Sequence, residues 1–489
     1  MKPRESRQPS IFLSFLTLVI LIGMLAFAII LFHDEALNGG IQIVLLIAAA
    51  FAAAIAVFVC RVEWKTIEHR IAQNFLGITP AILILLFIGS LSGSWMVSGI
   101  IPTLIYYGLY IMHSNFFLMS CCVICCIVST MTGSSWSTIA TIGIALFGIG
   151  QVQGFSAGWT AGAIISGAYF GDKMSPISDT TVLASTVTET PLFTHIRYLF
   201  YTTVPSITIA LIVYAIAGYS RETPDVHQIN VFAESLKDNF NISPWLMIVP
   251  VVTGIMIAKK MSPVVVLFVA SVLAAVFAMI FQPQLLREIA GETNGSDAIA
   301  CVKGAMISLF GSTQIETGNE TLNNLATTRG MGGMMYTIWL IICATCFGGV
   351  MSAGGMIASI TRLFKRLMKG RISTVASTVA AGLTFNLCTS DQYVAILLNG
   401  EMFKEVYKKN GYESRLLSRT TEDSVTVTSV LIPWSSCGMT QATVLGIPTL
   451  TYLPYCIFNL VSPLMSILVA ITGYKIVQKP AEIIITDKE

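Results

Sequence analysis

Charge is what this 489-residue chain has least of. Asp, Glu, Lys and Arg make up 11% of it, and the two signs nearly cancel to a formal +2. Soluble domains carry about 25% charged residues. No basic patch is interleaved with aromatics, so a nucleic-acid partner has no electrostatic footprint here. Histidine is equally scarce: His33, His69, His113, His195 and His227 are the only five, and all fall at the ends of apolar runs or in loops. None is placed to act as base for Ser134 or Ser135, as an intramembrane serine hydrolase would need. HExxH and the P-loop are missing too, which removes the machinery of a zinc protease and of an ATP-driven pump. The chain is therefore expected not to be an enzyme and to need no cofactor. Eleven cysteines are present, most of them in apolar segments. The run Cys121-Cys122-Val123-Ile124-Cys125-Cys126 has no His partner and reads as small buried packing residues, with no disulfide framework.

What the chain has is apolar length. Hydrophobic residues make up 54% of it, in runs placed at roughly 11–32, 41–60, 77–111, 115–131, 136–150, 157–186, 197–219, 243–258, 262–282, 335–361, 372–388, 392–407, 416–437 and 449–473. The expectation is an all-α polytopic protein of the lipid bilayer with about 12 to 14 transmembrane segments. The run 11–32 follows a basic N-terminal stretch and lacks a small-residue cleavage pattern, so it reads as a retained helix and not a signal peptide. Basic residues cluster in the N-terminal tail, at Arg61, Lys65 and Arg70, at Lys259-Lys260, at 362–371 and at 404–409, whereas 220–242 and 283–333 are acidic. Counting spans from a cytoplasmic N-terminus puts every basic cluster inside and both acidic stretches outside. Both termini are then cytoplasmic, in the cytoplasmic (inner) membrane.

The same count suggests an inverted repeat. Ile88 to Met96 is similar to Gly348 to Met356. Thr132-Gly133-Ser134-Ser135-Trp136 lies opposite Thr389-Ser390-Asp391-Gln392-Tyr393, with Gly143 meeting Gly400. Ser178-Asp179-Thr180-Thr181 lies opposite Glu422-Asp423-Ser424-Val425. The expected organisation is a tail with two helices (1–74), repeat A (75–219), connecting helices and an outer loop (220–334), an inverted repeat B (335–475) and a tail (476–489). Inverted repeats of this kind place substrate near the midplane, at broken helices.

The motifs carry acids where acids are costly. A carboxylate at membrane depth marks an ion or proton pathway by default. Pro176 cannot continue a helical ladder and disfavours helix at Ser175, which frees carbonyls beside Ser178, Thr180 and Thr181. Carbonyls, hydroxyls and carboxylates are hard oxygen ligands suited to a small hard cation. The bland alternative is a surface loop in which Lys173 neutralises Asp172. In the second half, Glu422 and Asp423 point about 100° apart on a helix. Asp423 is expected to face the cavity, and Glu422 either joins it or pairs with Arg419 or Arg415. Pro433 breaks this helix further along. Gly133 breaks the first hairpin, and Asp391 is the lone acid of the second.

At Gly171–Thr181 and Thr132–Thr138 the chain resembles the NhaC-type Na+/H+ antiporter family of the ion transporter superfamily. Thr389–Tyr393 and Glu422–Ser424 through Pro433-Trp434 fit the same pattern, and the resemblance spans about residues 75–475. It implies a secondary antiporter of inverted-repeat fold with broken helices and hairpins. The family also includes members similar to malate/lactate antiporters coupled to Na+ and H+. The expected activity is exchange of Na+, or Li+, for H+, with small organic acids as the alternative substrates. Asp179 and Asp423 are the expected central carboxylates and hold the transported Na+. Asp172 and Asp391 assist, Ser134, Ser178, Thr180 and Ser424 supply oxygens, and Glu422 is a further candidate. A homodimer is left open.

Overall fold

The computed structural model describes residues 8–32, 39–112, 114–219, 226–259, 261–291 and 296–478. The first seven residues, His33, His113, Lys260, the acidic residues of 220–225 and the tail from 479 lie outside the described residues. Within them every regular element is helical. Eight helices are long and apolar enough to cross a membrane, or up to ten if each of two bent pairs is one span. The other apolar stretches are hairpin arms and pieces of broken helices, such as Phe117–Thr132 (16 residues) and Asp179–Val187 (9 residues). The chain is a multi-pass membrane protein.

Two similar series of elements follow one another. Each starts with a long helix, Trp64–Val97 in half A and Gly330–Ala353 in half B. Hairpin A pairs Phe117–Thr132 with Ser135–Val152, and hairpin B pairs Arg371–Thr389 with Gln392–Lys409. Broken helix A runs Ala157–Met174, stops at Pro176 and resumes as Asp179–Val187. Broken helix B runs Ser414–Thr421, widens into a π turn at Glu422–Thr426 and resumes as Ser436–Leu445. Each half then closes with a helix containing an internal proline, Leu192–Tyr219 and Ile457–Thr472.

The caps give the register of this repeat. Gly133 and Ser390 end the first hairpin arms in left-handed conformation, at φ 68° and 58°. Ser134 and Asp391 start the second arms, Ser156 and Glu413 start the broken helices, and Ser178 and Ser435 restart them. Each of these pairs is 257 positions apart. The hairpin matches of the sequence hold in this register, and so does Gly143 with Gly400. The broken-helix match does not. Asp179 corresponds to Ser436, Asp172 to Ser429 and Pro176 to Pro433, so Asp423 has no acidic counterpart in half A. Similar acid–hydroxyl composition drew the sequence alignment to 422–425, whereas backbone capping fixes the true correspondence.

Small residues let the elements approach. A Cβ on Gly167 would meet the Cys122 carbonyl oxygen at 2.2 Å, and one on Gly171 would meet the Ser129 Cβ at 2.5 Å. Broken helix A thus lies directly on the first arm of hairpin A. Cys121, Cys122 and Cys125 are buried there and unbonded, so the cysteine run is packing, as its sequence surroundings imply.

Candidate functional site

The tip of hairpin A meets the break of helix A. Positive φ suits glycine at 133, and a Cβ there would also stand 2.7 Å from Ile177 Cγ1. Ser134 caps the second arm by accepting from Ser137 N at 3.2 Å. One residue on, Ser135 donates to Asp172 Oδ2 from its backbone N–H (3.2 Å) and its hydroxyl (2.7 Å). Ser178 Oγ donates to Asp172 Oδ1 at 2.5 Å and lies 3.0 Å from Thr180 Oγ1. Asp172 is therefore buried with three donors, a satisfied state for a desolvated carboxylate. Asp179 opens the first turn of Asp179–Val187 and is exposed. Thr181 ties the break together by donating to the Asp172 and Lys173 carbonyls at 3.2 and 3.1 Å.

What exposes Asp179 is a cavity of 810 Å³. Thr132, Ser134, Ser137, Asp172, Asp179 and Thr180 line it together. Gly77 and Pro80 of the helix Trp64–Val97 also line it, with Gln392 and Tyr393 from hairpin B. So do Met261, Ser262 and Pro263. Among the described residues its lining holds two carboxylates and no Lys, Arg or His.

The acids of half B are placed differently. Asp391 is an N-cap: Oδ1 accepts from Tyr393 N (2.9 Å) and Val394 N (3.0 Å), and Oδ2 accepts from Ser436 Oγ (3.2 Å). Asp423 is fully buried and away from the cavity lining. Its partner is Lys173 of half A, itself fully buried. Lys173 also donates to Ser462 Oγ at 3.0 Å, and Asp423 Oδ1 accepts from Thr202 (3.1 Å) and Ser462 (3.2 Å). Arg419 Nε lies 3.9 Å from Asp423 Oδ2, with its guanidinium over the Tyr198 ring. Ser424 spends its hydroxyl on its own helix, donating to the Thr420 carbonyl at 2.6 Å. Glu422 is buried, with the Thr426 hydroxyl as the hydrogen-bonding group beside its carboxyl. Arg415 pairs with Glu413, and Pro433 lies in the break with Trp434 Nε1 donating to the Leu387 carbonyl at 3.1 Å.

The structure thus brings Asp172, Asp179, Ser134, Ser178, Thr180, Gly133 and Pro176 together and sets Asp423, Glu422 and Ser424 apart from them. Lys173 turns toward Asp423 and not toward Asp172. The sequence reading missed this bridge, although a lysine inside an apolar run calls for an acid partner. It also missed His195, which is buried and hydrogen-bonded to Ser418. No group of three or more His, Cys, Asp or Glu that could hold a metal ion occurs among the described residues.

The sequence pattern that defines the Na+/H+ antiporter family matches residues 167–474, which include broken helix A from Gly167 onward, hairpin B and broken helix B. The chain belongs to the Na+/H+ antiporter family. The Na+/H+ antiporter NhaC of Bacillus subtilis (strain 168) is 34% identical over 408 residues, covering 83% of this chain and 87% of that one. The malate-2H+/Na+-lactate antiporter of the same organism is 32% identical over 413 residues, 84% and 85% of the two chains. The arginine/ornithine antiporter ArcD of Halobacterium salinarum is 32% identical over 481 residues, 97% and 95%. The NhaC resemblance of the sequence is borne out. This family member is an antiporter and not an enzyme.

Proposed function

We propose that this antiporter exchanges Na+ for H+ across the cytoplasmic membrane, with the cation bound at the acidic lining of the cavity. The supporting observation is the lining: Asp172 and Asp179 with the hydroxyls of Ser134 and Thr180, and no basic side chain. Oxygen ligands and negative charge suit a small hard cation, and Li+ asks for the same chemistry. The two flows are coupled when loading the cation and loading the proton oppose each other through the charge of buried carboxylates. Asp179 is the exposed ligand, and Asp172 is held ready by Ser135 and Ser178. The cavity reaches residues 261–263, next to Lys259, on the side that the basic clusters assign to the cytoplasm. On that count both termini are cytoplasmic and half B is inverted relative to half A.

A malate or lactate reading would want cationic groups in the cavity, and Lys173 is committed to Asp423. A second reading is favoured by size. The 810 Å³ cavity exceeds what a bare ion fills, and one relative is named for two cationic amino acids. The same acids would hold an ammonium or guanidinium group. Energised everted vesicles with a pH-sensitive dye separate these readings. Na+ should collapse the proton gradient in wild type and not in Asp179→Asn. A response to arginine or ornithine alone selects the organic cation, and a response to malate or lactate alone selects the organic acid.

A further inference from the structure

The half-B acid left out of the cavity is the feature this reading does not absorb. Glu422 is fully buried, and neither a backbone group nor a charged side chain hydrogen-bonds to its carboxylate oxygens. The charges acting on it are those of Lys173, Asp172 and Asp423, and it is not part of the cavity lining. Lys173 and Asp172 belong to broken helix A, and Asp423 to its own π turn. Thr426, one turn on, is the hydroxyl nearest in chemistry and place. It is buried too, and its hydroxyl acts on the Glu422 carboxyl as a hydrogen-bond donor.

Partners decide what Glu422 can be. The buried cations are Lys173 and Arg419, and the buried acids are Asp172, Asp391, Asp423 and Glu422. Asp172 and Asp391 each hold three donors and Asp423 holds Lys173, so these three have what an ionised carboxylate needs. Glu422 is the buried acid with neither a set of donors nor a paired cation. An ion stripped of water with nothing in return is strongly disfavoured, whereas a neutral carboxyl needs only a short-range partner such as Thr426.

We propose that the proton exchanged by this antiporter rides on Glu422, a site separate from the cation-binding acids of the cavity. The proposal rests on the Na+/H+ reading above. The carboxyl takes its proton from water on one side and returns it to water on the other, and no other bond forms or breaks. When it ionises, Lys173 is the cation positioned to swing from Asp423 toward it. Lys173 directly follows Asp172 in the chain, so this movement reaches the cation site.

The test uses the full-length protein in proteoliposomes, comparing wild type, Glu422→Gln and Glu422→Asp. Two fluxes are read: Na+-driven proton movement, and exchange of radioactive Na+ against unlabelled Na+, which needs no proton. Glu422→Gln should lose proton movement at least tenfold and keep Na+/Na+ exchange. Glu422→Asp should restore proton movement with a displaced pH profile, and it also carries the test should the Gln variant fail to fold. Proton movement in Glu422→Gln with the wild-type pH profile would overturn the proposal, as would a Glu422→Asp profile superimposable on wild type. Absence of any Na+ response in wild type would instead sink the Na+/H+ reading itself.

Discussion

Replacing Lys173 by Met removes one partner of an ion pair that joins the two halves. Lys173 and Asp423 are both fully buried. Removing one member of such a pair costs about 3–5 kcal/mol, because the other charge stays buried and uncompensated. The surroundings set which end of that range applies. Without Lys173, Asp423 keeps the Thr202 and Ser462 hydroxyls and the Arg419 guanidinium at 3.9 Å, so Lys173→Met should cost about 3 kcal/mol. Asp423→Asn leaves two buried cations, Lys173 and Arg419, without their shared anion, and should cost about 5 kcal/mol. The double replacement Lys173→Met, Asp423→Leu removes the pair and still strands Arg419. It should cost less than the two single losses added together. Unfolding free energies in detergent micelles measure all three. Single losses of about 1 kcal/mol or less, adding up in the double variant, would show that the two charges do not meet in the folded protein.

Three further outcomes follow from local geometry. Gly167→Ala drives a Cβ onto the Cys122 carbonyl oxygen, whereas Gly254→Ala meets nothing within 4 Å; thermal unfolding should show the first destabilised by about 1–3 kcal/mol and the second unchanged. Asp391→Asn keeps an acceptor for Tyr393 N and Val394 N, and Asp391→Ala loses the cap at about 1 kcal/mol; if Asp391 only caps, transport assays should find the Asn variant active. The Lys404 ammonium, 2.7 Å from Glu189 in the turn before Leu192, holds that carboxyl below its ordinary value of 4.5. A lowered carboxyl contributes stability that is present above its unfolded value and lost as pH falls through the folded one. The wild type should therefore lose more stability than Lys404→Ala when acidified below pH 4.5, as thermal melts at a series of pH values would show.

Much of this architecture is legible in the sequence because lipid leaves few solutions for a backbone. The hairpin tips were readable from Gly133, Ser134 and Asp391, where one residue turns left-handed and the next caps. The break at Pro176 was readable for the same reason, since proline removes a donor. The break at Pro433 was readable too, but the half-B counterpart of the acidic motif was misplaced, because Glu422-Asp423-Ser424 imitates the acid–hydroxyl motif of half A while the true counterpart, 429–436, carries serines in place of acids. The Lys173–Asp423 bridge spans 250 positions, and only the fold brings such distant residues into contact. The cavity wall contributed by Thr253, Ile257, Val266 and Leu267 comes from ordinary apolar helices with no local signal of its place.

Sodium uptake into proteoliposomes under an imposed outward proton gradient, in wild type and Asp179→Asn, tests the central claim most directly. The account predicts uptake in wild type that dissipates with the gradient, and no gradient-driven uptake in a well-folded Asp179→Asn protein. Wild-type uptake by Asp179→Asn would contradict the assignment of the acid-lined cavity as the cation site.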